Sequence, residues 1–154
     1  MHKVTQDLKQ NLHGKICVLG IGNRLKGDDA AGPELIDRLA GRGALHCIDA
    51  GVVPENYLEK VVKLQPDTIV LVDAMDFGGA AGACRLFPSD QVAGGGLSSH
   101  ALSLQMACDY LRQRVAARIF VLGIQPAQLK MNSPLNAAVK AAVENLAAAL
   151  GVRA

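Results

Sequence analysis

KICVLGIGNRLKGDDAAGPELIDRL, residues 15–39, decides the architecture. It opens on a short apolar run, Lys15 to Gly20, which ends at glycine as a buried strand does. A glycine-bearing loop, IGNRLKGDD, follows. From Asp29 to Leu39 the apolar residues Leu35, Ile36 and Leu39 then recur at helical spacing, with Asp28 or Asp29 placed to cap the N-terminus. A strand, a glycine turn and a helix in that order are the opening of an α/β fold.

The pattern repeats downstream. Leu45 to Ile48 ends at Asp49-Ala50-Gly51 and reads as a second strand, and Pro54 to Leu64 offers Leu58, Val61, Val62 and Leu64 as one face of a helix. Thr68 to Val72 (TIVLV) is dominated by β-branched residues, lacks polar alternation and ends at Asp73. Its continuous apolarity predicts a central strand covered on both faces. Gly82 to Phe87 alternates more and follows Asp76-Phe77-Gly78-Gly79 too closely for a crossover helix, which predicts an antiparallel edge strand. The loop from Pro88 to Ser99, with glycines at 94–96, is expected to be mobile. A helix over 99–113, the strand Ile119 to Gly123 and a helix from Leu135 to Leu150 complete the series. The fold class is therefore α/β: a three-layer sandwich in which a twisted sheet of about five mostly parallel strands lies between helices.

The 154 residues, half of them hydrophobic, suit one core rather than two. Residues 1–14 read as a polar, frayed N-terminal extension and 15–154 as a single domain. Sixteen basic against fourteen acidic residues leave a net charge of +2, too small and too dispersed to call for nucleic acid or an anionic membrane. No segment reaches the roughly eighteen uninterrupted apolar residues of a membrane span, and the leader lacks a signal-peptide apolar run. Cys17, Cys47, Cys84 and Cys108 have neither CxxC spacing nor the density of a secreted scaffold, so reduced thiols and a cytoplasmic location are expected.

In an open α/β sheet, ligands bind beyond the carboxyl ends of the strands. Asp28 and Asp29 follow the first strand, Asp49 ends the second, and Asp73 and then Asp76 follow the third. The long loop delivers Ser98, Ser99 and His100 to a helix start. Carboxylates and an imidazole with open positions make a mixed O/N site suited to a borderline divalent cation such as nickel or zinc. Each residue also has a plainer explanation. Asp28 is expected as a helix cap, Asp29 gains from the helix dipole, Asp49 could fix a turn through its own backbone, and His100 could be a surface cap. Asp73 is harder to explain away, because a carboxylate emerging directly from a buried strand needs a partner.

Two other chemistries fail on spacing. A dinucleotide fingerprint beginning at Gly20 would need its third glycine at Leu25, and Asp28-Asp29 would meet the pyrophosphate with like charge. A serine triad built on Ser98 or Ser99 lacks the G-x-S-x-G elbow, and no residue stands out as a covalent nucleophile.

The pattern G-I-G-N-x-L-x-G-D-D-A-x-G over Gly20 to Gly32 resembles the opening signature of the hydrogenase maturation endopeptidase family. Asp49-Ala-Gly with Pro54-Glu55-Asn56, then Leu71-Val-Asp73-Ala74, Ser99-His100 and Gly123-Ile-Gln-Pro126 recur in the family's order, so the resemblance spans about residues 15 to 150. It is strongest to members serving formate-hydrogenlyase-type hydrogenases. The resemblance implies a twisted five-stranded sheet with one strand antiparallel, and a protease that removes a short C-terminal peptide from the nickel-iron hydrogenase large-subunit precursor once nickel is inserted. It assigns Asp29, Asp73 and His100 to the metal, with Asp29 and Asp73 thereby serving catalysis, and implicates Asp49 as a further catalytic acid. The nickel would be carried by the precursor rather than stably bound, and no organic cofactor is implied. Departures are small: Asp-Ala-Gly stands where many members have Asp-Gly-Gly, the leader is longer, and the loop before His100 is plain. They leave open which hydrogenase is served. The competing expectations are a metal-dependent hydrolase of small peptides and a nickel-binding maturation chaperone that cuts nothing.

Overall fold

The computed structural model describes residues 1–92 and 98–151. The sheet has five strands: β1 (Ile16–Ile21), β2 (His46–Gly51), β3 (Thr68–Ala74), β4 (Cys84–Pro88) and β5 (Arg118–Ile124), in the order β2-β1-β3-β5-β4. The first four run parallel and β4 pairs with β5 antiparallel at the edge. Every residue of β1 and β3 is buried, as central strands covered on both faces must be.

The helices are α1 (His2–Asn11), α2 (Ala31–Leu39), α3 (Leu58–Leu64), α4 (Ala101–Arg114) and α5 (Ala137–Gly151). Strand side chains alternate between two cores. Val18, Val70, Val72, Leu122 and Ile124 face α1, α2 and α5. Cys17, Leu19, Ile21, Ile69, Leu71 and Val121 face α3 and α4. The three-layer α/β sandwich expected from sequence is the observed one, including the antiparallel β4.

The leader is not a frayed extension. It forms α1, and Val4, Leu8 and Leu12 are at most 2% exposed. Their i, i+4, i+8 spacing makes one narrow stripe that packs against β4 and α5. The Thr68 hydroxyl then donates to the His13 carbonyl at 2.7 Å and accepts from the His13 N–H at 3.2 Å, tying the exit of α1 to the start of β3.

Four helix starts also move, that of α4 from 99 to Ala101. Asp29 lies in a 3-10 turn, Gly27–Ala30, that precedes α2, and Pro54–Tyr57 is a second 3-10 turn ahead of α3. α5 begins at Ala137 rather than Leu135, because the Asn136 side chain accepts from the Ala138 N–H at 2.9 Å just after Pro134. The glycine run at 94–96 lies outside the described residues.

Two glycines explain how the first βα unit closes so tightly. A Cβ on Gly32 would lie 2.5 Å from the Ile21 carbonyl oxygen and 2.7 Å from that of Val72, so α2 rests directly on the backbones of β1 and β3. At Gly22, φ is +150° and a Cβ would lie 1.8 Å from the Asp29 carbonyl oxygen. The turn bearing Asp29 is thereby pressed onto the carboxyl ends of the central strands.

Candidate metal centre at the carboxyl edge of the sheet

Three segments remote in sequence meet where β1 and β3 end. Asp29 arrives on the 3-10 turn, Asp73 on the penultimate residue of β3, and His100 immediately before α4. One potential ligand atom from each lies within 4.8 Å of the others, the only such group among the described residues.

Asp29 is 1% exposed. Its Oδ2 accepts from the Asn23 N–H at 2.7 Å and lies 3.0 Å from His100 Nε2, while Ser99 Oγ approaches Oδ1 at 3.5 Å. Burial pushes this carboxyl up, but the bonds from His100 and Asn23 outweigh it and hold it below the usual range. His100 moves the other way: its bond to Asp29 raises it above the ordinary imidazole value against the opposing effect of burial. The two form an ion pair when the ring is protonated.

Asp73 is fully buried. Loss of water pushes its carboxyl up to about 7, although a hydrogen bond from Ser98 and the nearby His100 pull it down. The Ser98 hydroxyl donates to Asp73 Oδ2 and accepts the His100 N–H at 2.9 Å, so one serine positions two members of the cluster. Asp73 Oδ1 has no hydrogen-bond partner. An orphaned buried acceptor costs about 1–3 kcal/mol, and it lies among ligand atoms from a second carboxylate and an imidazole. A divalent cation bound there would satisfy all three, so the donor set fits nickel or a similar borderline ion.

The other acids go elsewhere. Asp28 is not a helix cap: its buried carboxylate accepts the N–H groups of Ala127 at 2.8 Å, Gln128 at 3.0 Å and Asn136 at 2.7 Å. It fastens the loop after β5 to the loop after β1. Asp49 stays outside the cluster of three. One of its oxygens accepts the Gly51 N–H at 3.1 Å and the other pairs with Arg24 at 2.8 Å, and Arg24 also grips Asp37. The plain reading of Asp49 as a turn former is thus met, alongside an ion pair. Asp76 is exposed and binds the Gly78 N–H and the Gln125 side chain.

Sequence reasoning missed what Ser98 and Gln125 do. Gln125 is 6% exposed, and its Oε1 accepts the N–H groups of Phe77 at 2.9 Å and Gly79 at 3.1 Å. It thereby clasps the loop that leaves β3 just beyond Asp73. The usable signal for Ser98 was its place two residues before His100, where a hydroxyl can cap the turn that presents the ring.

Comparison with known proteins adds a family to this geometry. The family described as HycI, hydrogenase maturation protease, matches residues 32–151. The hydrogenase 3 maturation protease of Escherichia coli K12 is 34% identical over 132 residues, covering 84% of each chain. Among solved structures, the nickel-iron hydrogenase maturation protease HycI of Thermococcus kodakarensis superposes with a TM-score of 0.84 over 97% of both chains at 27% identity. The endopeptidase HycI of Escherichia coli superposes with a TM-score of 0.77 over 87% of both chains at 30% identity.

Proposed function

Because the chain belongs to the hydrogenase maturation protease family, and is therefore an endopeptidase, we propose that it removes the C-terminal peptide of a nickel-iron hydrogenase large-subunit precursor after reading the precursor's nickel through Asp29, Asp73 and His100. The observation that carries the nickel reading is the buried, unpartnered Oδ1 of Asp73 beside Asp29 and His100. The site works in the same cytoplasmic compartment in which the precursor is made.

In this reading nickel is cargo on the substrate. Asp29 and His100 are held together and Ser98 fixes the orientation of Asp73, so the ligands are gathered before the loaded precursor arrives, and the proton shared between Asp29 and His100 Nε2 is released to solvent as nickel is ligated. The metal supplies positive charge that these residues attract, which orients the precursor's tail and makes cleavage conditional on loading. Asp49, near the carboxyl end of β2 and paired with Arg24, is the carboxylate proposed to take the proton of the attacking water.

The test is the intact mass of a nickel-loaded cognate precursor before and after incubation with the protein, beside a nickel-free sample. A C-terminal peptide should be lost only from the loaded sample. Asp49→Asn should slow that loss by at least about a hundredfold, the scale of a general base, while the loaded precursor still binds. An uncut, demonstrably loaded precursor would instead support a chaperone that holds it.

A further inference from the structure

Most large apolar side chains are inside, yet Leu25 is 59% exposed, Met131 57% and Leu129 36%. They come from two loops about a hundred positions apart that are fastened together. Lys26 and Met131 form an antiparallel bridge, and the Leu25 carbonyl accepts the Asn132 N–H at 2.6 Å. The Gln128 carbonyl accepts the Asp28 N–H at 3.0 Å, and the three bonds to the Asp28 carboxylate hold the other side. Gln128 also closes its own loop, accepting the Lys130 N–H at 2.8 Å and donating to the Pro134 carbonyl at 3.1 Å. The exposed apolar groups therefore stand on a fixed platform rather than on a frayed loop.

Two cations flank it. Neither Lys26 nor Lys130 has a carboxylate within ion-pair distance among the described residues, whereas neighbouring Arg24 is committed to Asp37 and Asp49. The platform also runs directly into the metal cluster, since Asn23, two residues before Leu25, donates its N–H to Asp29. Apolar surface kept exposed at the rim of a site, on a scaffold that needs no ordering, is the signature of a docking surface.

We propose that Leu25, Leu129 and Met131, with Lys26 and Lys130, form a preassembled docking platform for an apolar, carboxylate-bearing segment of the large-subunit precursor. The proposal rests on the substrate reading above. It gives Asp28 a positioning role: by binding the loop after β5 it sets the distance between the docked segment and the cluster at Asp29, Asp73 and His100.

The experiment uses the full chain and a nickel-loaded precursor, with KM and kcat read from intact-mass time courses. The variants are the pair Leu25→Ser/Met131→Ser, the single Lys130→Glu, and Lys140→Glu on the exposed side of α5 as control. The apolar pair should raise KM by about tenfold or more, the loss expected when anchor contacts are removed, with kcat at saturation held within about twofold. Lys130→Glu should raise KM several-fold and remove most of its salt dependence. Lys140→Glu should do neither, and the urea-unfolding midpoint of every variant should match wild type, which shows that the fold is intact. An unchanged KM in both platform variants, or an equal rise with Lys140→Glu, would overturn the proposal. If wild type binds the precursor without cutting it, the proteolytic reading fails, and the same comparison made in Kd still decides the docking surface.

Discussion

Asp73 concentrates the conflict between stability and function at the scale of one residue. Its carboxyl sits near 7 in the folded chain, raised by burial, against about 4 when unfolded. Its contribution is thus fully present below the unfolded value and is lost as pH rises towards 7, because ionising it inside costs more than ionising it in water. Asp73→Asn removes that loss while keeping an acceptor for the Ser98 hydroxyl. In the metal-free protein, the stability difference between variant and wild type should shift in the variant's favour between about pH 4 and 7, by a few kcal/mol at most, as measured by urea unfolding. Nickel-gated cleavage should vanish in the same variant. A difference that stays flat with pH would show that Asp73 carries no uncompensated charge.

At the scale of elements, the strands were legible and the leader was not. β1 and β3 announce themselves because both faces are covered, which leaves continuous apolar runs such as TIVLV. α1 hides because only one narrow stripe is buried, and Val4, Leu8 and Leu12 are diluted by polar neighbours. Leu8→Ala should destabilise the protein by about 2–4 kcal/mol, as cavity-forming truncations in a closed core do, measured by denaturant unfolding. An effect within about 0.5 kcal/mol, typical of surface positions, would return the leader to a dispensable extension. Asp28 was misread for a related reason. A cap rule looks three or four residues ahead, whereas the partners of Asp28 lie at Ala127, Gln128 and Asn136. Parallel strands bring their carboxyl ends together, so acids and a histidine were legible as converging on one edge; only the family resemblance singled out Asp29, Asp73 and His100, the three that the structure gathers.

For the whole molecule, the proposed chemistry lies at one edge of the sheet, and the state of the cysteines argues against a thiol nucleophile. All four are free; Cys17 and Cys108 are buried, Cys47 and Cys84 partly so. Burial pushes the Cys17 thiol up to about 12 and those of Cys84 and Cys108 up to about 11, and it raises Cys47 as well. Thiolate is the reactive form, so the folded protein should resist iodoacetamide at pH 7.5 and retain full proteolytic activity, while the urea-unfolded chain takes up label at every cysteine. Rapid inactivation on single-site alkylation would reinstate a cysteine nucleophile. The same polarity of design places the fixed apolar platform and the metal cluster on a shared rim, with the sheet and its two cores behind them as a rigid mount. Ligation of the precursor's nickel by Asp29, Asp73 and His100 can be read by X-ray absorption at the nickel edge, on loaded precursor frozen before cleavage with and without the protein. Wild type should add oxygen and nitrogen ligands, including imidazole scattering that His100→Ala abolishes; a nickel spectrum unchanged by wild-type protein that is demonstrably bound would contradict it.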